Sequence, residues 1–103
     1  MADPMRIRAS ARDGLVNVKV LMSHEMETGQ RKDAAGKVIP AHYISSVSAS
    51  YQGKTVLTAQ WGPAVSKNPY LEFEFKGGQK GEKVSVTWTD NKGDKRTDEG
   101  TIN

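Results

Sequence analysis

Apolar residues recur with a period of two along most of the chain. Val16, Val18, Val20 and Met22 alternate with Leu15, Asn17, Lys19 and Leu21. Val84, Val86 and Trp88 alternate with Ser85, Thr87 and Thr89, and Leu71, Phe73 and Phe75 with Glu72, Glu74 and Lys76. Successive side chains of a strand point to opposite faces, so this alternation predicts strands with one face on a core and one in water. No window carries the 3.6-residue repeat of an amphipathic helix. Residues 22–26 have room for one helical turn and no more.

Turn residues divide the pattern. Asp13-Gly14 and Gln52-Gly53 each separate two strand-like runs, and a two-residue link ending in glycine predicts a tight hairpin. Gly77-Gly78 to Gly81 and Asn91-Lys92-Gly93-Asp94 mark two further bends, with Gly93 expected in the left-handed region. The result is about seven strands, at 5–10, 15–22, 43–51, 54–61, 70–76, 83–90 and 95–102. That spacing predicts an all-β fold, an immunoglobulin-like sandwich of antiparallel strands, with a small barrel as the other option. The inner faces are expected to supply Ile7, Val16, Val18, Val20, Val47, Leu57, Leu71, Phe73, Phe75, Val84, Val86 and Trp88. Ser45, Ser46, Ser48 and Ser50 read as ordinary solvent-face residues of one strand.

Composition narrows the function. A chain of 103 residues is one domain, 1–103, and 36% apolar content is enough for a core. No stretch approaches the apolar length of a membrane span. Cysteine is absent, which removes disulfides, thiolate metal sites and cysteine nucleophiles. The net charge is +3, with the basic residues spread along the whole chain, so no nucleic-acid face is expected. The opening Met-Ala-Asp-Pro-Met-Arg has no apolar stretch of the kind an export signal needs.

Two segments break the pattern. Residues 23–40 form a connection longer than is usual in a compact domain, with Gly29, Gly36 and Pro40 closing turns and Arg31-Lys32-Asp33 adding charge. Residues 61–70 place Trp61, Pro63, Pro69 and Tyr70 in one connection. Catalytic chemistry is sparse. His24 and His42 are the only histidines, His42 reads as a surface residue beside a strand, and no serine sits in a nucleophile elbow. His24, Glu25, Glu27 and Asp33 share a loop, but one histidine among acids matches no familiar zinc spacing, and pairing with Arg31 and Lys32 explains the acids. Gly77-Gly78-Gln79-Lys80-Gly81 lacks both the spacing and the helix of a phosphate loop. The residues therefore describe a binding or interaction module with no catalytic, cofactor or metal site.

The 23–44 segment carries a resemblance. Ser23-His24-Glu25-Met26-Glu27-Thr28-Gly29-Gln30-Arg31-Lys32-Asp33, then Gly36-Lys37-Val38-Ile39-Pro40, then Tyr43-Ile44, closely resembles the SoxZ family. Asn68-Pro69-Tyr70-Leu71 followed by Phe73 and Phe75, and then Trp88-Thr89-Asp90, match the family's pattern in the same order. Glu25 departs from it, standing where many relatives have proline. The resemblance covers nearly the whole chain. It implies an immunoglobulin-like, non-enzymatic subunit, without cofactor, of the SoxYZ carrier in bacterial thiosulfate oxidation. The SoxY partner of that heterodimer holds sulfur intermediates on a cysteine of its C-terminal arm. Transient contacts with SoxAX, SoxB and SoxCD are implied, as is a periplasmic location reached by export with a signal-bearing SoxY.

On that reading His24, Met26, Glu27, Arg31, Asp33, Ile39, Tyr43, Ile44, Asn68, Pro69 and Tyr70 are the expected partner-binding residues. Ile39, Tyr43 and Ile44 are expected to supply apolar partner-facing surface or to anchor the loop. Met26 offers an adaptable thioether, and Arg31 a bidentate contact to a carboxylate. Glu27 and Asp33 are expected to orient Arg31 or to meet partner cations, while Asn68, Pro69 and Tyr70 form a second patch. Purely structural roles are the alternative, with Gly29 and Gly36 for turns and an Arg31–Asp33 pair for loop order. Two other classes compete: a free-standing sandwich that binds a ligand such as a carbohydrate through Trp61 and Tyr70, and a redox or metal enzyme built on His24.

Overall fold

Seven strands form where the alternation places them: β1 Arg6–Arg12, β2 Leu15–Leu21, β3 Ile44–Tyr51, β4 Lys54–Gln60, β5 Tyr70–Lys76, β6 Lys83–Asp90 and β7 Lys95–Thr101. The structure is a computed structural model and describes residues 3–103, so Met1 and Ala2 of the N-terminal reading lie outside the described residues. Boundaries fall within two residues of those expected. No helical turn forms at 22–26; the chain there is irregular, and Met26 adopts φ 51°.

The strands make two antiparallel sheets, β1-β2-β5 and β4-β3-β6-β7. Val16, Val18 and Val20 from one sheet face Val47, Val84, Val86 and Trp88 from the other, all essentially inaccessible to solvent. Met22, Ile44 and Ile102 extend this core past the strand ends. Asp13 and Gly14 have φ 54° and 79°, and Gln52 and Gly53 have φ 49° and 77°. Both hairpins therefore use turns with two left-handed residues, whose twist matches that of the flanking strands. A Cβ on Gly53 meets nothing within 4 Å, so its substitution isolates backbone strain. Gly53→Ala is expected to cost about 1 kcal/mol of unfolding free energy. Gly62→Ala, equally open but without a positive φ, is expected to be neutral or slightly stabilising by urea denaturation.

The two long sides of the sandwich differ. On one side β1 meets β7. Ala9 bridges Ile102, Ala11 N–H donates to Asn103 O at 2.9 Å, and Asn103 N–H donates to Ala9 O at 2.8 Å. Met5 N–H donates to Asp98 Oδ2 at 3.0 Å, and Arg96 holds the same carboxylate with two bonds of 2.9 Å. Counting strands from this seam sets β2 over β6 and β5 over β3. Ring contacts agree: His24, just past β2, meets Trp88 of β6 at 5.1 Å, and Phe75 of β5 meets Tyr51 of β3 at 5.2 Å. Among the described residues no strand is left to lie over β4. Leu57 and Ala59 of β4, with Leu71 and Phe73 of β5, are consequently only half-buried. Part of the expected core is thus the lining of an open side.

Candidate functional site: one end of the sandwich

The ends of β2, β4 and β6 and the starts of β1, β3, β5 and β7 all lie at one end of the sandwich, as the antiparallel registers require. Both irregular segments emerge there. The 23–40 connection folds back on itself as a hairpin arm. Glu27 pairs with His42 and Lys32 with Val38. Ile39 N–H donates to Arg31 O at 2.7 Å, and Asp33 N–H to Lys37 O at 2.8 Å. Every residue from Arg31 to Val38 is exposed. The molecule measures 54 × 22 × 19 Å. A strand of eight residues spans about 26 Å, so segments beyond the strands, the arm among them, contribute to the long dimension.

The base of the arm is fixed by a buried cluster. Asp90 occupies the position after Trp88 in the inward register of β6, and its side chain is 0% exposed. Its Oδ2 accepts from His24 Nε2 at 3.0 Å and from His42 Nε2 at 2.7 Å. Its Oδ1 accepts from the backbone N–H groups of Lys92 at 3.0 Å and Asp94 at 2.9 Å. Four donors thus fill the four lone-pair positions of the carboxylate. Burial alone would raise the Asp90 pKa, but the bonds from His24, His42, Asp94 and Lys92 outweigh it and hold the carboxyl below its ordinary value.

His24 is held from its other side as well. Met26 N–H donates to His24 Nδ1 at 3.0 Å, which places the ring proton on Nε2 and points it at Asp90. The left-handed Met26 makes this local bond possible, and its sulfur accepts the buried Ile44 N–H at 3.3 Å. Each partner of the cluster thereby pins a different element: β2 through His24, the arm's return through His42, and the β6–β7 turn through Asp90.

His24, His42 and Asp90 bring three donor atoms within 4.8 Å of one another. Coordination through His24 Nε2 would need the ring proton on Nδ1, where Met26 already donates. The arrangement is therefore that of a hydrogen-bonded clamp. His24, Glu25, Glu27 and Asp33 are not gathered into a site of their own. A cavity of about 190 Å³ opens beside the clamp, lined in part by Ser23, Glu25, Asn68 and Asp94.

The expected partner-binding residues sort by burial. His24, Met26, Ile44 and Pro69 are buried; Glu27, Ile39 and Tyr43 are half-buried. His42, read as a surface residue, has a side chain only 27% exposed because it reaches Asp90. Arg31, Asp33, Asn68 and Tyr70 are exposed. Arg31 binds Glu27 through one guanidinium edge, Nε to Oε2 at 3.0 Å and Nη2 to Oε1, and this pairing first, then the charge of Arg31, holds the Glu27 carboxyl below its ordinary value. The expected Arg31–Asp33 pair does not form. Asp33 instead closes the arm's tip, where its Oδ1 accepts from Ala35 N–H at 2.9 Å and Lys37 N–H at 3.0 Å.

The second patch lies beside the first. Asn68 N–H donates to His24 O at 3.0 Å, and His24 N–H donates to Asn68 Oδ1 at 3.1 Å. Tyr70 is 57% exposed, and its hydroxyl donates to Glu72 at 3.1 Å. Trp61 is half-buried against the core. Asp90 and His42 join the site from outside the expected partner-binding set, although the alternation itself puts Asp90 on the apolar face of β6.

Similar proteins place this architecture. Two solved structures share the fold: a superoxide reductase in the oxidized state, 17% identical, covering 99% of this chain and 89% of that one with a TM-score of 0.61, and a superoxide reductase (neelaredoxin) from Archaeoglobus fulgidus in the reduced form, 18% identical, covering 95% and 84% with a TM-score of 0.55. At these identities the likeness is one of fold. No curated protein matches. The family model described as "Sulphur oxidation protein SoxZ" matches residues 5–101, a span that takes in the arm, the His24–His42–Asp90 clamp, the Asn68–Tyr70 patch and all seven strands. The chain therefore belongs to the SoxZ family, and its role lies in the Sox system of sulfur oxidation.

Proposed function

We propose that this chain is the non-catalytic subunit of a two-chain sulfur carrier, bound to a SoxY-like subunit that holds the sulfur intermediates on a cysteine. The observation that carries the reading is the absence of cysteine from a chain of a sulfur-oxidation family. Covalent carriage of sulfur needs a thiolate nucleophile, and methionine's thioether does not form the same reversible bond. On this reading the thiol belongs to another chain. The pair works in the periplasm, which it reaches together, and is handed between SoxAX, SoxB and SoxCD.

The exposed arm supports a role in those contacts. Its base is rigid, its tip presents Arg31, Lys32 and Lys37, and Val38 stands 54% exposed there. A rigid element that projects charge and a few apolar side chains suits recognition by several partners in turn.

The test is recovery of the chain through an affinity tag from its own organism grown on thiosulfate. A near-stoichiometric small partner with a cysteine close to its C-terminus is the expected result. Recovery of the chain alone, at every salt concentration tried, would remove the reading. Given a partner, combined alanine substitution of Arg31, Val38 and Tyr70 is expected to slow thiosulfate turnover severalfold without lowering the melting temperature.

A further inference from the structure

The open long side of the sandwich has the shape of a missing strand. β5 is the edge of its sheet, and β4 extends one strand beyond it in the facing sheet. The β2–β5 register and the bond from Gly77 N–H to Gly14 O show which backbone groups of β5 are used. Gly14 opposite Gly77 is a hydrogen-bonded pair, so Val16–Phe75, Val18–Phe73 and Val20–Leu71 are hydrogen-bonded pairs as well. The N–H and C=O groups of Glu72 and Glu74 therefore point away from β2, out of the sheet edge. Among the described residues no backbone hydrogen bond engages them.

Natural edges are commonly blunted by bulges, prolines or lysines. β4 has such a device, a register shift opposite Ala49 and Ser50. The interior of β5, Leu-Glu-Phe-Glu-Phe, has none and pairs with β2 in unbroken register. Below its free edge lie the half-buried Leu57 and Ala59 of β4, with Phe73 and Leu71 alongside.

We propose that β5 is a docking edge, and that an extended segment of the partner subunit adds to it as a fourth strand. This rests on the carrier-subunit reading and names the surface by which the pair is held. The occupant's chemistry follows from the edge. Its inward side chains lie over Leu57, Ala59 and Phe73 and are apolar. Its outward side chains neighbour Glu72 and Glu74 on the outer face of the sheet and are Lys or Arg, because opposite charges across strands attract. Glu72 already accepts from Asn17 at 2.9 Å and from Tyr70, whereas among the described residues no donor reaches the Glu74 carboxylate. A second copy of β5 is the wrong occupant. Antiparallel self-pairing centred on Phe73 sets Glu72 of each copy against Glu74 of the other, and like charges directly opposite are destabilising.

Two substitutions at Glu74 test this without touching the β2 ladder. Glu74→Lys reverses the edge charge. Glu74→Pro deletes an outward N–H, and proline is tolerated on an edge strand where that group faces solvent. The partner recovered from thiosulfate-grown cells is titrated against wild type and both variants, with hydrogen exchange followed along β5. Expected are binding weakened about tenfold or more by each variant, unchanged melting of the isolated chain by Glu74→Lys, and new protection of the Glu72 and Glu74 amides on complex formation. The Phe73 and Phe75 amides, already bonded to β2, serve as the protected reference. Binding of both variants at wild-type strength, with the Glu72 and Glu74 amides still exchanging freely in the complex, overturns the docking edge and leaves the pairing intact. Failure of the wild-type chain to bind any cysteine-bearing partner overturns the carrier reading and the docking edge together.

Discussion

Asp90→Ala is expected to lower the unfolding free energy by about 4 kcal/mol, the scale of breaking a buried charged network. The substitution strands His24 Nε2, His42 Nε2 and the N–H groups of Lys92 and Asp94 at once. Each buried donor left without an acceptor costs about 1–3 kcal/mol, and the sum is reduced because the cavity beside the clamp admits water. For a domain of this size the melting temperature falls by on the order of 15–25 °C. Asp90→Asn is expected to recover part of the loss. Its carbonyl oxygen satisfies one side of the network, but its NH₂ group meets a donor wherever it faces His24, whose tautomer Met26 fixes.

The same cluster sets an acid limb. The folded-state pKa of Asp90 lies below its ordinary value, so the ionised form is favoured by folding. Its contribution is complete above the unfolded carboxylate pKa of about 3.9, and is lost as pH falls through the depressed folded value. Asp98, lowered chiefly by its bond from Arg96, acts in the same direction. Wild type is expected to lose stability steeply below about pH 4, and Asp90→Asn to show a shallower decline. Equal slopes in urea denaturation from pH 6 to pH 2 would contradict the clamp.

Gly100→Ala carries the second large effect and tests the closed side of the sandwich. A Cβ at Gly100 would stand 2.5 Å from Ile7 Cγ2 and 2.9 Å from Ile7 Cβ. Ile7 O lies 3.3 Å away, so backbone as well as side chain would have to move. Overpacking of this kind costs about 1–3 kcal/mol, and the rigid β1–β7 seam puts Gly100→Ala toward the upper end. Chemical denaturation measures it, and Ile7→Ala in the same chain is expected to restore part of the loss, a coupling that distant sites lack. Full loss with no rescue would mean that β1 does not lie against Gly100. At Gly100 the β1–β7 side has no room for a methyl group, while on the β4–β5 side β5 is a sheet edge with half-buried apolar residues.

Much of this was legible from the alternation. A period of two with glycine turns identifies strands and their inward faces, and Val16, Val18, Val20, Val84, Val86 and Trp88 all lie in the core as expected. Alternation cannot report what lies opposite a strand. Leu57, Leu71 and Phe73 carry the same pattern as the core valines, yet they sit on edges and stay half-buried. Register shifts hide other residues: Ile44 lies next to an irregularity in the β3–β6 pairing, which resets parity.

The arm was visible as a break in patterning, but its own ladder was not, because Glu27–His42 and Lys32–Val38 pair around a bend without regular alternation. Of the clamp, the sequence supplied an aspartate in an inward position of β6. What satisfies it comes from histidines 66 and 48 residues away, a proximity that only the topology creates. Met26 carries a role that composition does not reveal: its left-handed backbone bonds His24, and its buried sulfur accepts the Ile44 N–H.

On the proposed reading this chain supports the carrier and another chain holds the sulfur. Intact mass spectrometry of the complex purified from thiosulfate-exposed cells tests it most directly. Expected are mass increments of sulfur-containing groups on the partner, removed by a thiol reductant, and this chain at its unmodified mass. A reductant-sensitive sulfur adduct on this chain, or a complex in which neither chain ever carries one, would contradict it.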